Sequence, residues 1–86
     1  MKAVIIDDEK DSRQILANYL QKYCPDVEVM GFGESVATGL DAIRKFHPEI
    51  VFLDIEMPYG NGFDLLAKAG EINFETVFVT AFDNYA

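Results

Sequence analysis

Four short apolar runs, each followed by a stretch of different character, constrain this chain more than any other feature. They are Ala3-Val4-Ile5-Ile6, Val27 to Phe32, Ile50-Val51-Phe52-Leu53 and Thr76-Val77-Phe78-Val79-Thr80. Continuous runs rich in β-branched and aromatic residues suit strands covered on both faces of a parallel sheet. Between the first two runs, Ile15, Leu16, Tyr19, Leu20 and Tyr23 recur at helical spacing, with Asp11 or Ser12 to cap the start and Pro25 to end it. Ser35 caps a second helix that turns Val36, Leu40, Ile43 and Phe46 inward, and Pro48 marks its exit. Pro58-Tyr59-Gly60-Asn61-Gly62 is a turn cluster, after which Phe63, Leu65 and Leu66 begin a short third helix. Residues 82–86 read as the opening of a further helix.

Strands alternating with helices at this spacing predict βαβ units, and so an α/β fold with a doubly wound parallel sheet. No repeat or linker divides the 86 residues, which form one domain spanning 1–86. A domain of this size buries only about 60–65% of the surface its unfolded chain exposes, so its stability is marginal. The net charge of −8 opposes a nucleic-acid or anionic-membrane surface, both of which need clustered Lys and Arg. Cys24, the single cysteine, cannot close an internal disulfide. No signal-peptide pattern opens the chain, and no apolar run approaches the ~20 residues that span a bilayer. The expectation is a soluble protein in a reducing, cytoplasmic setting.

The acids fall where such a fold places ligands. Asp7 and Asp8 end the first strand, Asp54 the third, and Thr80 the fourth. Open α/β sheets bind at the carboxyl ends of their strands, so a parallel sheet brings these residues to one edge. Three converging carboxylates repel one another unless a cation neutralises them, and an oxygen-only donor set suits Mg²⁺. With the metal shielding charge on a phosphoryl group, one carboxylate could act as nucleophile. Asp54, alone on the middle strand, is the best candidate.

Val4-Ile5-Ile6-Asp7-Asp8-Glu9, Val51-Phe52-Leu53-Asp54-Ile55-Glu56-Met57-Pro58 and Val77-Phe78-Val79-Thr80-Ala81 together resemble the receiver domains of bacterial two-component systems. The resemblance covers the whole chain, and its three motifs stand in the family's order. Asp54 to Pro58 with Asn61-Gly62, and Thr80 to Ala86, are most similar to receivers attached to LytTR-type DNA-binding domains. The resemblance implies a flavodoxin-like (CheY-like) fold with strand order 2-1-3-4. It also implies that Asp54 takes a phosphoryl group from the phosphohistidine of a sensor histidine kinase. In that scheme Asp8 ligates Mg²⁺ with Asp7 assisting, Glu56 offers its backbone carbonyl to the metal, and Thr80 hydrogen-bonds the phosphoryl group. Ala81 leaves the aspartate accessible.

The pattern departs from the family's in one respect. Receivers carry a lysine at the end of a fifth strand and an aromatic switch residue near it, whereas the basic residue after Asp54 is Lys68, in the third helix. The chain therefore reads as a receiver incomplete after the fourth strand, lacking most of helix 4, strand 5 and helix 5. An uncovered fourth strand would be an apolar edge, which predicts self-association through that edge or the adjoining sheet face.

Each residue also has a plainer reading. Asp7-Asp8 could be a solvated strand end, Asp54 a turn starter and Thr80 an ordinary strand residue; their joint placement favours the site. His47 reads as a surface residue at a helix exit, and Cys24 as a small residue at a helix end. Gly31-Phe32-Gly33 lacks the further residues of a phosphate-binding loop and reads as a turn. Phe32, Phe63, Phe74 and Phe78 read as core or interface packing. Two other functions compete. Asp54-Ile55-Glu56 faintly resembles the Asp-x-Asp motif of haloacid-dehalogenase-like phosphatases, but the second acid is wrong. A receiver remnant that only binds partners is the other.

Overall fold

The structure is a computed structural model that describes residues 1–79. Its sheet contains β1 (Lys2–Ile6), β2 (Glu28–Gly33), β3 (Ile50–Asp54) and β4 (Glu75–Val79). All pairings are parallel and the order is β2-β1-β3-β4, as expected. Three helices complete the described residues: α1 (Lys10–Tyr23), α2 (Val36–Phe46) and α3 (Gly62–Ala69). Thr80 and the helical opening expected at 82–86 lie outside the described residues.

Alternation along the strands divides the core into two layers. Val4, Ile6, Val51 and Leu53 face α2 and α3, where Leu40 and Leu65 meet them. Ala3, Ile5 and Phe52 face the other way, toward Leu20 of α1. Because both faces are used, β1 and β3 are apolar at nearly every position. Ile5, Ile6 and Leu53 are almost completely buried, each worth about 1.5–3 kcal/mol relative to exposure.

The helix starts divide by mechanism. Ser35 caps α2 by accepting the Thr38 N–H at 3.1 Å, while Thr38 Oγ1 accepts the Ser35 N–H. Asn61 and Asp64 form the same reciprocal box on α3. At α1, neither Asp11 nor Ser12 is the cap. The helix begins at Lys10 with Glu9 as its N-cap, and no side chain caps it. The reason lies in the preceding turn, where Asp7 Oδ1 accepts the Glu9 N–H at 2.9 Å and swings the chain directly into the helix.

Two further expectations are corrected. Gly31-Phe32-Gly33 is not a turn but the last part of β2. Both glycines serve close approach: a Cβ on Gly33 would lie 2.5 Å from the Gly39 Cα of α2, and one on Gly31 would collide with the Phe46 ring. On α1 the inward stripe is narrower than the periodicity suggests. Leu16, Ala17 and Leu20 pack on the sheet, while Ile15, Tyr19 and Tyr23 are exposed. The helix is rotated so that Ile15 and Tyr19 border an open apolar groove over Ile5, Phe52 and Val79. Of the four phenylalanines, Phe74 packs against the core. Phe32, Phe63 and Phe78 are largely exposed, and the rings of Phe63 and Phe78 pair 5.2 Å apart. No helix among the described residues is long and apolar enough to cross a membrane.

Candidate acidic metal and phosphoryl site

Register assembles the site. Ile6 pairs with Leu53 in parallel, so Asp7, one step past β1, and Asp54, the last residue of β3, stand side by side. The Asp7 N–H donates to Gly33 O at 3.0 Å, which carries the β1–β2 ladder one step past the strand. The Asp7 carbonyl accepts from Arg13 Nη1 at 2.7 Å. Asp7 is thus held by its amide, its carbonyl and its carboxylate. Asp8 follows in the same turn. On β3, Asp54 Oδ1 accepts the Glu56 N–H at 3.2 Å, leaving its other oxygen free of that bond.

Asp7, Asp8 and Asp54, all half-buried, each offer a carboxylate oxygen, and these oxygens lie within 4.8 Å of one another. The cluster has an electrostatic consequence. The Asp54 carboxyl is raised from 3.8 to about 6, first by burial and then by the charges of Asp7 and Asp8, against the lowering effect of the Glu56 N–H. A group held in that way gains from an added cation. Three hard oxygen donors with no nitrogen or sulfur fit a small divalent ion such as Mg²⁺, which retains water in its remaining positions.

The loop after β3 keeps the mouth of the site in place. Met57 is buried in the core and anchors it. Tyr59 takes a left-handed φ of 62° and Gly60 one of 144°, which reverses the chain toward Asn61. The Gly62 N–H donates to Ile55 O at 2.9 Å, and a Cβ on Gly62 would lie 2.9 Å from the Asp54 carbonyl. Only glycine lets α3 start this close to the acid.

The structure thus brings together Asp7, Asp8 and Asp54. Glu56 lies beside them with an exposed side chain, and its backbone N–H donates to Asp54 Oδ1. Thr80 lies outside the described residues. Lys68 is exposed in the last turn of α3, and His47 is an exposed left-handed C-cap of α2. Two residues were missed by reading the sequence, Arg13 and Gly62. Arg13 had no signal beyond its place one turn into α1, whereas Gly62 stood inside the turn cluster.

The family model described as response regulator receiver domain matches residues 3–86. An uncharacterized response regulatory protein of Vibrio cholerae is 41% identical over 87 residues, covering 100% of this chain and 36% of that protein. The transcriptional regulatory protein BtsR of Escherichia coli is 37% identical, with 100% and 36% covered. The sensory transduction protein LytT of Bacillus anthracis is 36% identical, with 100% and 35% covered, in keeping with the LytTR-type resemblance. A solved DNA-binding response regulator of the LuxR family from Staphylococcus aureus superposes with a TM-score of 0.82 at 26% identity, covering 95% of this chain and 69% of that one. The chain spans about a third of the length of these curated relatives. The strand order, the acids at the strand ends and the family match over nearly every residue lead to one conclusion: this chain belongs to the receiver-domain family of two-component response regulators.

Proposed function

We propose that Asp54 is the phosphoacceptor of this receiver and that Asp7, Asp8, Asp54 and the Glu56 backbone carbonyl hold the Mg²⁺ that the reaction requires. The observation that carries the reading is the convergence of three carboxylates within 4.8 Å, with Asp54 the member contributed by β3. When bound, the metal shields the negative charge of an incoming phosphoryl group. The chain's own residues do the rest. Glu56 N–H fixes Asp54 Oδ1, which leaves Oδ2 to attack phosphorus. The O–P bond forms as the N–P bond of the donor's phosphohistidine breaks, and the histidine nitrogen leaves with the bonding pair.

Thr80 is assigned the hydrogen bond to the arriving phosphoryl group. The phosphodonor is a sensor histidine kinase, and the receiver serves as the cytoplasmic input module of a longer regulator, its output proposed to be of the LytTR type. Its chemistry is limited to taking the phosphoryl group and losing it again to water, and residues 1–86 act as one receiver unit.

Beryllofluoride tests the reading because it mimics a phosphoryl group on aspartate. Fluorine NMR is expected to show a bound species that requires Mg²⁺ and disappears in Asp54→Asn. A folded wild-type chain that forms no adduct would make it an interaction module without phosphoryl chemistry.

A further inference from the structure

We propose that Arg13 is a positioning residue for the metal: by gripping the peptide between Asp7 and Asp8, it sets the two carboxylates for Mg²⁺ binding. The inference rests on the proposed function and extends it to a residue outside the acidic cluster.

The geometry is specific. The backbone N–H of Arg13, in the first turn of α1, donates to Glu9 O at 3.1 Å. Its side chain runs back six residues to the carbonyl of Asp7, meeting it at 2.7 Å in a half-buried position. That carbonyl belongs to the peptide plane whose nitrogen is Asp8's. Holding it fixes the rotation of the plane, and with it the direction in which Asp8 leaves the backbone. The other end of the turn is already tied, through Asp7 Oδ1 and the Glu9 N–H. Asp8 therefore sits between two fixed points.

A guanidinium donating to a neutral carbonyl makes a charge-assisted bond. The bond holds the turn through a backbone carbonyl, without occupying a carboxylate oxygen that a metal needs. Groups that orient metal ligands from outside the coordination sphere typically change affinity by about 10–100-fold when removed.

The test compares wild type, Arg13→Ala, Arg13→Lys and Arg13→Gln by calorimetric titration with MgCl₂, alongside circular dichroism and melting of each variant. Arg13→Ala is expected to weaken Mg²⁺ binding about tenfold, with Arg13→Lys recovering most of the loss and Arg13→Gln, a neutral donor, recovering less. The Mg²⁺ concentration that half-saturates acetyl-phosphate labelling should rise by the same factor, while the labelling rate at saturating Mg²⁺ changes by less than about twofold. Unchanged Mg²⁺ affinity in a folded Arg13→Ala would overturn the proposal. So would an Arg13→Ala that loses its fold and an Arg13→Lys that does not restore Mg²⁺ binding. A folded wild type that binds no Mg²⁺ would refute the proposed function itself, and the wild-type titration separates that failure from the others.

Discussion

Asp54→Asn should make the metal-free protein more stable, an unusual outcome for a change at a functional centre. The wild-type carboxyl has its pKa raised from 3.8 to about 6 by burial and by Asp7 and Asp8. A raised carboxyl pKa means that the folded state binds its proton more tightly than the unfolded chain does. The stabilising contribution is fully present below the unfolded value and is lost as pH rises through about 6, so the ionised group is a burden near neutrality. At full strength the difference corresponds to about 3 kcal/mol, at about 1.36 kcal/mol per pKa step. The site opens to water, and screening reduces this to about 1–2 kcal/mol. Asparagine retains an oxygen for the Glu56 N–H and removes the charge. Urea unfolding in chelator at about pH 7 should therefore show Asp54→Asn more stable by about 1–2 kcal/mol, a midpoint shift of about 1 M. The advantage should vanish below about pH 4, where wild type is protonated in both states. Saturating Mg²⁺ should stabilise wild type far more than the variant, because a ligand of the folded state adds its binding free energy to stability. Equal stabilities in chelator near neutrality, or a less stable Asp54→Asn, would refute the reasoning.

Three other substitutions probe the scaffold. Gly33→Ala would set a Cβ 2.5 Å from the Gly39 Cα and 2.8 Å from its N, pushing α2 off β2. Urea unfolding should show a loss of about 2–3 kcal/mol. Ser35→Ala removes the oxygen that accepts the Thr38 N–H, and thermal melting should report a loss of about 1 kcal/mol. Tyr59 holds a φ of 62° with its side chain fully exposed, so Tyr59→Gly relieves backbone strain and sacrifices no packing. Chemical denaturation should show a net gain of about 0.5–1 kcal/mol after the entropy that glycine forfeits.

The elements legible in the sequence were those whose signal is local. The apolar runs at Ala3–Ile6 and Ile50–Leu53 are buried on both faces, so nearly every residue reports the strand. Ser35 announced α2 because its capping partner lies three residues away. The acids were legible for a related reason: Asp7 and Asp54 each stand one register step beyond Ile6 and Leu53, so the parallel sheet alone brings them together. What escaped depends on long-range approach. Gly31 and Gly33 look like turn residues in isolation, and only the passage of Phe46 and Gly39 over them explains glycine inside a strand. The capping of α1 was misplaced because the Asp7 side chain, two residues before Glu9, organises the turn. Tyr19 and Tyr23 share the helical period of Leu16 and Leu20, yet the rotation of α1 on the sheet decides which pair is buried. Arg13 was invisible as a site residue, since its partner is a backbone carbonyl that no side-chain pattern encodes.

The central claim is that Asp54 accepts a phosphoryl group at a Mg²⁺ site built with Asp7 and Asp8. Its most direct test is intact-mass analysis after incubation with acetyl phosphate, with and without Mg²⁺, followed by peptide mapping of the labelled chain. A single added phosphoryl group is expected, one that requires Mg²⁺, maps to Asp54 and is absent from Asp54→Asn. A folded wild-type chain that stays unlabelled, or carries its label on another residue, would contradict it.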